Sequence, residues 1–154
     1  MKPWVQGLRD RGIAAEAIDL PRRRAEDAVT ALRSIVPADA SAIVGGQSYG
    51  GRVASLAAAG PDAPYRALVL LSYPLHRPGA PETWQARTAH WPLIRCPVLL
   101  LSGESDPFAK LALLRAAVQL LADAELVTYP RLGHTLRPVL EDALDRVAAF
   151  ATGL

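Results

Sequence analysis

The sequence predicts an α/β protein: a three-layer sandwich whose mostly parallel central sheet, of about five strands, carries helices on both faces. Two observations predict it. Short apolar runs without polar interruption stand at Ala42–Gly45, Ala67–Ser72 and Val98–Ser102, and side chains that are apolar at consecutive positions mark strands buried on both faces, as in a parallel sheet covered by helices. Segments with helical spacing lie between these runs, and right-handed crossovers turn such an alternation into a layered sandwich.

The elements follow in order. Trp4 to Leu8 forms a short amphipathic helix, and Ile13–Ile18 is a weaker strand. Ala25, Ala28, Val29, Leu32 and Val36 then share one helical stripe, with Glu26, Asp27, Thr30 and Arg33 opposite. The acids open that helix and the arginine closes it, in agreement with its dipole, and Pro37 ends it. After the strand Ala42–Gly45 a helix runs from Gly50 to Ala59 and stops at Gly60-Pro61. Beyond Ala67–Ser72, the stretch Tyr73–Ile94 is interrupted by Pro74, Pro78, Pro81 and Pro92, which predicts an excursion over the carboxyl ends of the strands with a short helix near Thr83–Ala89. The strand Val98–Ser102, a helix over Ala109–Leu121, the weaker strand Leu126–Tyr129 and a last helix from Pro138 complete the chain. That helix carries Val139, Leu140, Ala143, Leu144, Val147 and Ala148 on its apolar side.

Composition narrows the function. At 154 residues the chain is expected to be one domain spanning 1–154, and 51% apolar with 21% charged residues suits a buried core. A net charge of +2 from 17 basic and 15 acidic residues is too weak a field to bind a polyanion, so no nucleic-acid partner is expected. The one basic run, Arg22-Arg23-Arg24, reads as a solvated surface in preference to a phosphate clamp. Cys96 is the only cysteine, which excludes an intramolecular disulfide and a cysteine metal cluster and suits a reducing compartment. Lys2, Arg9, Asp10 and Arg11 leave no room for a signal peptide, and no apolar run approaches the roughly 20 residues of a membrane helix. The expectation is a soluble, cytoplasmic protein without cofactor or metal.

Chemistry concentrates after three strands. Gly46-Gln47-Ser48-Tyr49-Gly50 is a G-x-S-x-G pattern, in which serine occupies the apex of a tight strand-to-helix turn. Its glycines are expected where a larger side chain would collide as the helix doubles back past the strand. The alternative is a phosphate-binding turn. A P-loop needs Lys-Ser or Lys-Thr after its last glycine, where Arg52-Val53 stand, and a dinucleotide fingerprint needs a different glycine spacing. A serine also needs a base, and the base needs an acid to fix its tautomer. In chain order, Asp106 follows the strand Val98–Ser102 and His134 follows Leu126–Tyr129, so both leave carboxyl strand ends and can converge on Ser48.

Other residues compete for these roles. Glu104 is the alternative acid, although Asp106-Pro107 heads a helix with a rigid successor, and the structural alternative for Asp106 is a helix N-cap. His76 and His90 follow no recognisable strand and read as surface or packing histidines. Cys96 has no adjacent base and reads as a buried thiol; Trp84 and Trp91 either line a pocket or pack.

Together these residues resemble the α/β-hydrolase fold, and more narrowly its small, lidless branch that includes the testis-expressed protein 30 and NSL-complex subunit 3-like hydrolases. The narrow likeness rests on Ile18-Asp19-Leu20-Pro21, Val44–Arg52, Tyr73-Pro74-Leu75-His76 with Pro78-Gly79, and Ser105-Asp106-Pro107-Phe108. The resemblance implies a serine hydrolase acting on a small ester or thioester through an acyl-enzyme, with Ser48 as nucleophile, His134 as general base, Asp106 as its orienting acid and the backbone N–H of Tyr49 in the oxyanion hole. It also implies a second oxyanion donor on a loop after an earlier central strand. This sequence begins inside or just before the following helix, so the domain is expected to be N-terminally incomplete and to lack that strand. Two alternatives follow: a non-catalytic binding module or complex subunit, and a shortened form of a longer enzyme. An exposed sheet edge would then invite a homodimer or a protein partner.

Overall fold

The computed structural model describes residues 1–36 and 39–154. Among these residues ten α-helices and strands succeed one another: α1 (Lys2–Asp10), α2 (Ala25–Ile35), β1 (Ile43–Gln47), α3 (Tyr49–Ala58), β2 (Ala67–Leu71), α4 (Trp84–Thr88), β3 (Val98–Gly103), α5 (Leu111–Val118), β4 (Ala124–Tyr129) and α6 (Leu140–Thr152). The four strands form one parallel sheet in the order β1-β2-β3-β4, with Val44 beside Leu68, Leu70 beside Leu100 and Leu101 beside Val127.

Burial explains the layers. Alternate residues of the central strands point to opposite faces. Val44, Leu68, Leu70, Val98 and Leu100 join one core with Ala28 and Leu32 of α2, Val53 and Ala57 of α3, and Leu114 and Ala117 of α5. Val69, Leu71, Leu99 and Leu101 join the other with Trp4 of α1 and Ala143, Leu144 and Val147 of α6. A strand order that never reverses requires right-handed connections to stay on one face, which is why α3 and α5 share theirs. The remaining face is covered by the two terminal helices, clamped by Arg11 on Glu141 (2.9 Å) and Asp145 (2.6 Å).

The expected strand at Ile13–Ile18 does not form, so the sheet has four strands instead of about five. The segment runs Ile-Ala-Ala-Glu-Ala-Ile; Ala14, Glu16 and Ala17 are exposed and only its end, with Leu20, packs on the first core. A strand needs a neighbour for its backbone groups. Here β1 is an edge of the sheet among the described residues, and no ladder reaches residues 13–18. Pro37, expected to end α2, lies outside the described residues.

The stretch after β2 is built of short helical turns at Pro81–Thr83, α4 and Trp91–Leu93. Trp91 is fully buried and meets Tyr73 edge-on at 5.0 Å, while Trp84 packs against the same core from its margin, so both tryptophans act as packing. α5 is shorter than its pattern because Leu120 and Leu121 turn back with i→i+3 bonds to Ala117 and Val118. No helix among the described residues is long and apolar enough to cross a membrane.

Leu144 is 1% exposed between α1 and the sheet. Leu144→Ala is expected to cost about 3 kcal/mol, read as a fall in the urea midpoint at unchanged slope.

Candidate active site

Ser48 sits between the last residue of β1 and the first of α3 with φ 50° and ψ −113°, a conformation that a serine adopts only under constraint. The constraint is visible on both sides. Its N–H donates to the Leu71 carbonyl at the end of β2 (2.9 Å), and its own carbonyl accepts from Arg52 N–H one turn into α3 (3.1 Å). A Cβ on Gly46 would lie 2.7 Å from Gly50 C and 2.9 Å from Gly51 N, and one on Gly51 would lie 2.7 Å from the Gly46 carbonyl oxygen. Gly50 has open space at its Cβ position, so the second close approach belongs to Gly51 and not to the second glycine of the motif.

Two further loops leave the same end of the sheet. Asp106 follows β3, its side chain fully buried: Oδ1 accepts the Phe108 N–H (2.8 Å) and Oδ2 lies 2.8 Å from His134 Nδ1. α5 starts later, at Leu111, so Asp106 is not its N-cap. A carboxylate can only accept, so Nδ1 carries the ring proton and the Nε2 lone pair faces Ser48 Oγ at 2.9 Å. Ser48, His134 and Asp106 thus form one hydrogen-bonded chain. The loops are joined by backbone bonds from Glu104 to Tyr129 (3.0 Å) and from Ser105 to Leu132 (2.9 Å). Gly103 makes this possible, since any Cβ there would strike the carbonyls of Leu132 and Gly133. The Phe108 ring lies 4.6 Å from the imidazole and limits its tilt.

The competing residues have other partners. Glu104 accepts from Thr128 Oγ1 (2.8 Å) and does not join the chain. His76 is buried and braces the acid-bearing loop: its backbone N–H donates to the Phe108 carbonyl, Nδ1 faces the Arg77 carbonyl (2.8 Å) and Nε2 accepts from Lys110 N–H (3.0 Å). His90 bonds Ser55 Oγ (2.8 Å); burial, with Arg52 adding to it, lowers its pKa to about 4. Burial raises the Cys96 thiol. Burial and a hydrogen bond to Asp142 push the Tyr129 hydroxyl up to about 12. Among the described residues no group of three or more His, Cys, Asp or Glu side chains is placed to hold a metal ion.

A cleft of about 770 Å³ opens beside Ser48 and Tyr49, bordered by the loop before α2, by α3 and by the stretch after β2. Tyr49 begins α3, where backbone N–H groups have no partner within the helix. Among the described residues no strand precedes β1. Arg52, Arg77 and Arg87 also line the cleft and went unrecognised in the sequence. For Arg52 a signal existed: it stands four residues after Ser48, on the helix face beside the elbow.

The alpha/beta hydrolase domain family matches residues 16–151. The chain belongs to that family. Among solved structures, the fold is similar to a monoacylglycerol lipase of Paleococcus ferrophilus (TM-score 0.81, 14% identity, 98% of this chain and 88% of that one). It is also similar to a CIB-like hydrolase of Thermoplasma acidophilum (0.66, 16%, 84% and 59%) and to Est1E of Butyrivibrio proteoclasticus, solved with ferulic acid (0.69, 19%, 86% and 69%). The chain therefore spans 59% of the length of the Thermoplasma hydrolase. No curated protein sequence matches it.

Two stability predictions follow from the site's packing. Gly46→Ala is expected to cost about 2–3 kcal/mol by overpacking the elbow, whereas Gly50→Ala, inside α3 with free space, gains about 0.5–1 kcal/mol, both read by urea denaturation. His90 resists protonation in the fold more than in the unfolded chain, so its contribution is intact above pH 6.5 and is lost as pH falls toward about 4. A loss on the order of 2 kcal/mol over that window is expected from melting curves after discounting for partial exposure, and His90→Gln should flatten it.

Proposed function

We propose that the chain is a serine hydrolase that cleaves a small carboxylic ester or thioester through an acyl-enzyme on Ser48. The observation that carries this reading is the hydrogen-bonded chain from Asp106 through His134 to Ser48, held at a strained apex beside an open cleft. In the proposed reaction His134 Nε2 takes the hydroxyl proton as Ser48 Oγ attacks the carbonyl carbon, and Asp106 stabilises the imidazolium that results. The Tyr49 N–H faces the developing oxyanion. Collapse expels the alcohol or thiol, which receives the proton from His134. Water then attacks the acyl-serine by the same route in reverse, releasing the acid.

The likeness of Tyr73-Pro74-Leu75-His76 to the testis-expressed protein 30 and NSL-complex subunit 3-like branch supports a lidless member that works on accessible substrates. In this sequence those residues pack into the core and hold the Asp106 loop, a reason for them to stand together. The lone cysteine suits a cytoplasmic enzyme.

One observation favours a second reading. With no strand before β1 among the described residues, one oxyanion donor is unaccounted for, and losing such a donor typically costs about 10²–10³ in rate. A non-catalytic module that binds a small ligand or a partner protein would tolerate that loss.

A fluorophosphonate probe is expected to label the folded protein at Ser48 and to leave Ser48→Ala unlabelled. Turnover of p-nitrophenyl acetate should fall by about 10⁴ in Asp106→Asn and by up to about 10⁶ in His134→Ala. Absence of both labelling and turnover in a protein with an intact melting transition would favour the binding module.

A further inference from the structure

We propose that the cleft beside Ser48 is a receptor for a negatively charged group, so that the preferred substrate is an ester or thioester carrying a carboxylate or a phosphate, bound by Arg23, Arg24, Arg52, Arg77 and Arg87. This rests on the hydrolase reading above and names the substrate class of the same site.

Five arginines from three separate parts of the chain reach this one cleft: Arg23 and Arg24 from the loop before α2, Arg52 from α3, and Arg77 and Arg87 from the stretch after β2. Glu26 is the only acid in the lining, and Arg52 Nη2 already holds it at 2.6 Å. Five cations against one anion leave four positive charges uncompensated. The whole chain carries only +2, so the remainder nets −2 and the clustering does not follow from general basicity.

Such crowding is unfavourable without a counter-charge. Burial holds the Arg87 guanidinium below its usual value, and the neighbouring Arg52 and Arg77 charges add to the effect. Arg52, one of the lining residues, has its Nη1 buried without a hydrogen-bond partner. A buried unpaired donor on a cation is costly, and a negative charge in the cleft nearby offsets part of that cost. Guanidinium forks match carboxylate and phosphate oxygens in pairs, and the positive end of α3, at Ser48, adds to the same field.

The loop is held in place to do this. Tyr49, the residue after Ser48, donates its hydroxyl to the Pro21 carbonyl (2.8 Å), and the Arg24 carbonyl accepts the Asp27 and Ala28 N–H groups as α2 begins. The arginine run is therefore anchored on one side by the residue after Ser48 and on the other by a helix. The run is solvent-exposed, as the sequence predicts, and Arg23 and Arg24 border the cleft from that exposed position.

Charged clefts of this kind raise the local concentration of the matching substrate by about 10–10³. The test compares kcat/KM for two charged and neutral pairs in a chloride buffer: mono-p-nitrophenyl succinate against its methyl ester, and acetyl-coenzyme A against S-acetyl-N-acetylcysteamine. A preference of at least about tenfold within one pair is expected, reduced at about 0.5 M salt and reduced several-fold in Arg23→Gln/Arg24→Gln with an unchanged melting temperature. The pair that shows it distinguishes carboxylate from phosphate. Ratios near one in a protein that hydrolyses the neutral esters through Ser48 would overturn the anion receptor and leave the hydrolase reading standing. If no ester is turned over, calorimetry of Ser48→Ala with monomethyl succinate and with inorganic phosphate decides: binding that weakens in the arginine variant supports the receptor without the hydrolase, and no binding overturns both.

Discussion

The backbone of β1 and the start of α3 touch with no side chain between them. Gly46 and Gly51 provide that contact, and everything at the site depends on it. The tight return forces Ser48 into its positive-φ conformation and lifts its Oγ toward the His134 loop, while Ser48 N–H ties the apex to β2. A larger residue at either glycine would move the helix, and with it Tyr49 and Arg52. The strain at the apex is supported by the most buried part of the protein, the two central strands with a core on each face. Local strain of this size persists only where surrounding structure over-determines it.

A second constraint is electrostatic. One side of Ser48 meets a directional arrangement: a buried carboxylate, a ring proton and a lone pair in sequence. The other side meets arginines whose only acidic partner in the cleft is Glu26. The first arrangement can move a proton, and the second can hold an anion without taking part in proton transfer. His76, outside both, joins them structurally, since it bonds the Arg77 carbonyl on the cleft side and the Lys110 N–H beyond the Asp106 loop.

Most of the candidate site was readable in the sequence because the three side chains of its hydrogen-bonded chain each follow a strand, and a strand buried on both faces announces itself by consecutive apolar residues. Ala67–Leu71 and Val98–Leu101 are such runs, and Ser48, Asp106 and His134 stand where those strands and their neighbours end. Periodicity was weaker where pairing decides. Ile13–Ile18 has apolar ends and a strand-like length, but its alanines and glutamate give it little to bury and no neighbour receives its backbone. Gly50 and Gly51 are indistinguishable in a motif; only the path of the helix past the strand shows which of them lacks room for a Cβ.

From residue order alone came the layered parallel fold, the helical faces and the identity of the serine, histidine and aspartate that meet, because each depends on local periodicity or on its position after a strand. Tertiary structure alone assigned the arginines. Their positions in the chain, from 23 to 87, carry no common pattern, and a charge run is the same string of letters whether it faces water or a cleft. Here Arg22, Arg23 and Arg24 are exposed to water, as the sequence predicts, and two of them also border the cleft because the Tyr49 hydroxyl on the Pro21 carbonyl anchors their loop, a contact between residues far apart in sequence.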